Sequence, residues 1–236
     1  YQAGKLIAQF HAAVSKFSWD FRSVRPGAHD TEAHLRRLAD AIPAYREHRL
    51  WEEVRELAET IENGWSTWAG YRELPQRIIH GDLKISNVRF QNQQALCLVD
   101  LDTMAHGTLD VELGDAMRSW CNPATENSEN SIFDLEIFRA AMTGYATGSK
   151  SYPPNKTEWA SIVSGTERIC WELAARFAWD ALAESYFGFD PKYGGRGEHN
   201  LLRARGQASL AQSVRDQRHE AETIMNSLQP KLDANS

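Results

Sequence analysis

The hydrophobic period of this 236-residue chain is helical everywhere except in one short window, between Pro75 and Val99. Upstream, Leu6, Ile7, Phe10, Val14 and Phe17 form one helical stripe, and Leu50, Val54, Leu57 and Ile61 form another that should end at Asn63-Gly64. Between them Asp30 is placed to cap a helix running through Leu35 and Leu38 and stopping near Pro43. Downstream, helical spacing returns over Val111 to Trp120, Leu135 to Tyr145, Thr157 to Phe187 and Asn200 to Leu228, with breaks at Asn122-Pro123, Tyr152 to Asn155 and the glycine-rich Tyr193 to Gly197. Inside the window, Ile78-Ile79, Val88 to Phe90 and Ala95 to Val99 are short apolar runs, the last two joined by the polar Gln91-Asn92-Gln93-Gln94. Such a pattern predicts a mostly α domain with a small β-hairpin. Without an internal repeat or low-complexity linker, residues 1–236 are expected to form one domain: leading helices over 1–74, a loop and hairpin over 75–107, and a helical region over 108–236.

Composition narrows the partners. With 26 Lys and Arg against 32 Asp and Glu, the net charge is −6, which argues against broad binding of nucleic acid or an anionic membrane. Cys97, Cys121 and Cys170 are too scattered for a disulfide framework or a cysteine metal cluster, and His29 and His34 are wrongly spaced to share a helix face. No apolar run approaches the roughly 18 residues of a membrane span, and Lys5, His11 and Lys16 interrupt the first segment where a signal peptide needs an unbroken core. A cytoplasmic location is expected. The chain opens at Tyr1 inside a helical stripe, with no initiator Met and no capping residue before it, as expected of a fragment.

The string that carries chemistry is His80-Gly81-Asp82-Leu83-Lys84-Ile85-Ser86-Asn87, followed by Leu98-Val99-Asp100 at the end of the next strand. If Gln91 to Gln94 is the hairpin loop, Phe90 pairs near Ala95 and Asn87 lies opposite Leu98, so Asn87 and Asp100 are neighbours across the ladder. An amide oxygen and a carboxylate are hard ligands suited to a Mg²⁺ that completes its shell with water and substrate phosphates. Asp82 is near enough to take a proton from a hydroxyl attacking a metal-bound phosphate, and Lys84 supplies positive charge beside the transferring group. Asp and Asn are also ordinary loop residues, but the full string with a strand-terminal Asp thirteen residues later is hard to meet by accident.

These motifs resemble those of the aminoglycoside phosphotransferase and choline kinase superfamily, relatives of the protein kinases. The resemblance implies ATP and Mg²⁺ as cofactors and a small-molecule hydroxyl as acceptor. It further implies that Asp82 is the catalytic base, that Asn87 and Asp100 bind the metal, that His80 packs and orients the loop, and that Asp115 stabilises it. The β-rich lobe that precedes these motifs in the family has no counterpart here. Lys5 sits in a helical stripe, and the glycines of 194–197 follow a helix rather than lead into one from a strand. The chain is therefore expected to be the C-terminal lobe of a protein-kinase-like α+β fold, with the N-terminal lobe absent, and inactive by itself.

Around the acceptor, Asp100 to Met104 with Gly107 and Glu112 to Arg118 resemble N-acetylhexosamine 1-kinases, as does Asn200 to Arg205; aminoglycoside, choline and amino-alcohol kinases are the alternatives. Asp102 shares the strand face of Asp100 by the period of two, where it would meet metal or sugar or else cap a turn. Arg118, one turn beyond Asp115, is expected to pair with it, or to meet a product phosphate. Arg168, Glu172, Arg176, Asp180 and Glu184 repeat every four residues with Trp171 and Trp179 beside them. This is expected to be a solvated charge ladder, the alternative being a sugar pocket built around Glu172 and Arg176. A non-catalytic binding module on a kinase-like scaffold is the reading from another class; the joint retention of Asp82, Asn87 and Asp100 argues against it.

Overall fold

A computed structural model describes residues 1–18, 21 and 27–229. The described residues form eight α-helices and two separate antiparallel strand pairs, joined by loops and short 3-10 turns. Helices α1 (Gln2–Val14), α2 (Thr31–Ala44) and α3 (Trp51–Ser66) come first. Strands β1 (Gln76–Ile79), β2 (Val88–Gln91), β3 (Gln94–Leu98) and β4 (Ala105–Thr108) follow. The rest is α4 (Leu109–Trp120), α5 (Leu135–Gly148), α6 (Lys156–Ala183), α7 (Arg196–Asp216) and α8 (Arg218–Leu228).

Helix α6 is the hub. It opens with a capping box, in which Asn155 accepts from the Glu158 amide at 2.9 Å and the Glu158 carboxylate accepts from the Asn155 amide at 2.8 Å. It then packs against α2, α3, α4 and α7, so that nearly every face of it is covered. This overturns the solvated-ladder expectation: Glu172 and Asp180 are fully buried, because the faces they occupy are enclosed by neighbouring helices. Each buried charge has partners. Asp180 accepts from the amides of Ser185, Tyr186 and Phe187 and from Asn200 Nδ2, while Arg168 donates to Thr31 Oγ1, the His29 carbonyl and Asp110. Where α4 crosses α6, glycines permit backbone contact: a Cβ on Gly165 would stand 2.3 Å from the Asp110 carbonyl oxygen.

Element ends differ from expectation in several places. Phe17 lies beyond α1 and is exposed, and α2 runs through Pro43 to Ala44. Asn63-Gly64 lies inside α3, where Gly64 leaves room for the Trp171 ring. Helix α6 stops at Ala183, with Glu184 in the left-handed region, and Phe187 folds back to within 4.5 Å of the Phe177 ring centroid. The final helical stretch starts at Arg196 and is two helices that meet at Gln217.

The hairpin forms as anticipated but with a different register. Asn92 and Gln93 both have positive φ, giving a two-residue turn of the type that matches strand twist. Phe90 pairs with Ala95, yet a bulge between Arg89 and Phe90 brings Val88 opposite Leu98. Asn87 therefore lies across from Val99, whose amide donates to the Asn87 carbonyl at 3.0 Å, and not across from Leu98. Strand β4, which carries no apolar alternation, pairs with β1 from Gln76↔Thr108 to Ile79↔Ala105. Arg77 of β1 forms a buried pair with Glu158, tying this sheet to the start of α6.

Candidate active site

The loop from His80 to Asn87 is held from below by a buried carboxylate on α4. Glu112 accepts from the His80 amide at 2.8 Å and from the Gly81 amide at 3.0 Å, and its Oε1 also meets His11 Nε2 at 3.0 Å. His11 Nδ1 in turn meets the Tyr145 hydroxyl at 2.9 Å, so α1 and α5 both buttress the loop. His80 is fully buried; its Nε2 lies 3.0 Å from the Val99 carbonyl, and its own carbonyl accepts from Thr103 Oγ1 at 2.7 Å. The loop is thus fastened to both ends of the segment that carries Asp100. Gly81 has φ +80°, and a Cβ there would stand 2.7 Å from the Thr103 carbonyl oxygen, so only glycine fits.

Asp82 follows, half-buried. Its Oδ2 accepts from Lys84 Nζ at 2.5 Å and from Asn87 Nδ2 at 3.1 Å, and Asn87 Nδ2 also donates to the Asp82 carbonyl at 2.9 Å. Both bonds fall on one carboxylate oxygen, and among the described residues Oδ1 takes none. Burial would depress the Lys84 ammonium, but its hydrogen bond to Asp82 and the charges of Asp82, Asp100 and Asp115 hold it above its ordinary value. It stays cationic beside Asp82.

Asp100 is exposed and adopts φ 66°, ψ 55°, a left-handed conformation that is unusual outside glycine, Asn and Asp. Strained backbone of this kind tends to mark functional positions. Among the described residues Asn87 Oδ1 and the Asp100 carboxylate take no hydrogen bond, so hard oxygen donors stand open at adjoining strand ends. That donor set fits a Mg²⁺ whose remaining shell is water and phosphate. Among the described residues no group of three His, Cys, Asp or Glu side chains offers a metal cage.

Other anticipated residues sit differently. Asp115 makes no hydrogen bond to the loop; Glu112 does that work, because the loop lies over the α4 face that carries Glu112. Asp115 Oδ1 accepts from Arg118 at 2.9 and 3.3 Å, whereas its Oδ2 is buried without a partner. Arg118 also pairs with Glu126 at 2.7 Å. Asp102 lies on a 3-10 turn spanning Leu101–Thr103, so the strand alternation that linked it to Asp100 does not extend so far. Glu172 faces inward, accepting from Thr31 Oγ1 at 2.8 Å and meeting His29 Nδ1 at 3.0 Å; it is closed to a substrate. Trp171 is likewise buried.

In front of Asp82 opens a cavity of about 1,140 Å³, whose walls include His29, Asp115, Arg176, Trp179 and Arg203. His29, which sequence reasoning set aside, bridges Glu172 to the Gly81 carbonyl at 3.3 Å. Burial works against its protonation, but the hydrogen bond and charge of Glu172, the charge of Asp115 and the Gly81 carbonyl raise its pKa above the ordinary value. Glu112, His11 and Tyr145 were also missed. The one available signal was a histidine and a carboxylate placed in otherwise apolar helix stripes.

The family model described as phosphotransferase enzyme family (APH) matches residues 1–146. Among curated proteins, the chain is 29% identical over 178 residues to a homoserine kinase of Gluconobacter oxydans, covering 75% of this chain and 50% of that protein. It is 28% identical over 150 residues to a homoserine kinase of Polaromonas naphthalenivorans, covering 61% and 42% respectively. The chain therefore spans about half the length of the curated relatives it matches. Among solved structures, the gentamicin-APH(2")-IIa complex superposes with a TM-score of 0.50 at 13% identity, covering 88% of this chain and 65% of that one, a likeness of fold. No described helix is long and apolar enough to cross a membrane. As that family model matches residues 1–146, more than half of the 236 residues, the chain belongs to the APH phosphotransferase enzyme family.

Proposed function

We propose that the protein is a small-molecule kinase that moves the terminal phosphoryl group of ATP to a hydroxyl in the cavity in front of Asp82. One observation carries this reading: Asp82 and Asn87 are hydrogen-bonded to each other beside Asp100, with the metal-suited oxygens of Asn87 and Asp100 left open. Lys84 and Asn87 fix Asp82 Oδ2, leaving Oδ1 to accept the proton of the incoming hydroxyl. Asn87 and Asp100 would hold Mg²⁺, which when bound neutralises phosphate charge. Lys84 adds a fixed positive charge next to the same atoms. Residues 75–107 act as the catalytic segment and 108–236 as the acceptor region, the whole corresponding to the C-terminal lobe of a kinase.

Two acceptor classes are supported by different observations. The resemblance over Asp100 to Arg118 favours the anomeric hydroxyl of an N-acetylhexosamine. The curated homoserine kinases favour the side-chain hydroxyl of an amino alcohol. Incubating the whole protein with MgATP and a panel of N-acetylhexosamines, homoserine, choline and aminoglycosides, with detection of phosphorylated product, tests the reading. A hexosamine 1-phosphate or phosphohomoserine is the expected product. ATP-dependent phosphorylation of none of these would remove the kinase reading in favour of a binding module.

A further inference from the structure

We infer that the cavity in front of Asp82 contains an oxyanion subsite formed by Arg37 and Arg176, so that the acceptor bears a carboxylate or phosphate as well as its hydroxyl; this rests on reading that cavity as the acceptor site. Four arginines reach its wall, and two have their donors engaged within the protein. Arg118 is bound to Asp115 and Glu126, and Arg203 to the Gly188 carbonyl and to Asn200 and Asn127. Among the described residues Arg37 and Arg176, by contrast, have no hydrogen-bond partner. For Arg176 this is unusual, because its side chain is only 21% exposed and a guanidinium carries five N–H donors. Its nearest carboxylate, Glu172, stands 3.8 Å away and already serves His29 and Thr31.

Both guanidinium groups are nonetheless held in place. Arg37 lies 3.5 Å from the centroid of the Trp179 ring, and Arg176 lies 5.6 Å from that of Phe187. Contact with an aromatic face restrains a guanidinium while leaving its donors open, an arrangement suited to a carboxylate or a phosphate. The acidic neighbours on α6, Glu172 and Asp180, turn inward: Asp180 is held by neutral amides, and Glu172, 3.8 Å from Arg176, by His29 and Thr31, so neither carboxylate reaches the cavity. A neutral polyol would leave these donors unmatched, and an ammonium group placed against them would be repelled, while Asp82, Asp115, Glu126 and Asp190 also line the cavity.

Calorimetric titration of inorganic phosphate into the protein, without nucleotide or Mg²⁺ and at low ionic strength, tests the subsite directly. Saturable binding is expected, weakened about tenfold by Arg176→Gln and measurably by Arg37→Gln, whose exposed side chain leaves the fold undisturbed. Asp82→Asn, which under the kinase reading abolishes transfer, should keep phosphate binding, so failure of the subsite and failure of the kinase reading are separate results. Titrations of homoserine against homoserine carboxamide, and of N-acetylglucosamine 6-phosphate against N-acetylglucosamine, then distinguish a carboxylate from a phosphate. Absence of saturable phosphate binding, binding unchanged in both arginine variants, or no preference for either anionic compound over its neutral partner would overturn the inference.

Discussion

Replacing Glu112 by Gln tests whether this buried carboxylate holds the 80–87 loop in its working shape. Glu112 accepts three hydrogen bonds, from the amides of His80 and Gly81 and from His11. Because Oε1 serves two of them, the glutamine oxygen is expected to take that place, which turns the new NH₂ group toward the Gly81 amide and sets donor against donor. One buried donor left unsatisfied costs about 1–3 kcal/mol, and loss of charge assistance in the other two bonds adds roughly 1 kcal/mol. The sum, about 2–4 kcal/mol, is within the stability of a typical domain, so the variant should fold. At about 2–4 °C per kcal/mol for a chain of this size, the melting temperature should fall by roughly 4–16 °C. Turnover of the whole protein should fall by about a hundredfold, since displacing the loop by an ångström misplaces Asp82. A melting temperature within about 2 °C of wild type together with unchanged kcat would mean that Glu112 does not hold the loop.

Other substitutions isolate separate features. Asp100→Gly removes a metal-suited carboxylate and relieves left-handed strain of about 1–2 kcal/mol, largely offset by the greater chain entropy of glycine; urea unfolding should show stability unchanged or slightly raised while transfer is lost. Gly165→Ala pushes a Cβ into the Asp110 carbonyl and should cost about 1–3 kcal/mol in the same assay by prising α4 from α6. The raised pKa of His29 means that its contribution is fully present below its unfolded pKa of 6.5 and is lost as pH rises through the folded pKa. Melting temperature followed against pH for wild type and His29→Gln should therefore show a gap that is widest below pH 6.5 and narrows above it.

Long helical stripes made the helical frame legible, and the string from His80 to Asn87 made the candidate site legible, because such strings are dictated by chemistry that only a few side chains perform. What the sequence hid was set by rotation and twist. Glu112 and Asp115 lie on one helix, and which of them faces the loop depends on how α4 seats on α6 through the Gly114 and Gly165 contact. The hairpin was readable, but the bulge at Arg89 and Phe90 that moves Asn87 opposite Val99 leaves no mark on apolar alternation. Asp100 was expected at a strand end, whereas its left-handed turn is a backbone property that Asp only tolerates. The Arg168-to-Glu184 repeat illustrates the same limit. A spacing of four residues is equally compatible with solvent or with a ring of buried partners, and the neighbours on α2, α4 and α7 decide between them.

The most direct test of phosphotransfer at this site is the single-turnover rate of ATP-dependent product formation by the whole protein, compared between wild type and Asp82→Asn at equal melting temperature. The rate should fall by at least about a hundredfold, as expected when a base within reach of the attacking hydroxyl is removed. A folded Asp82→Asn variant that forms product at the wild-type rate would contradict the assignment of Asp82 as the base.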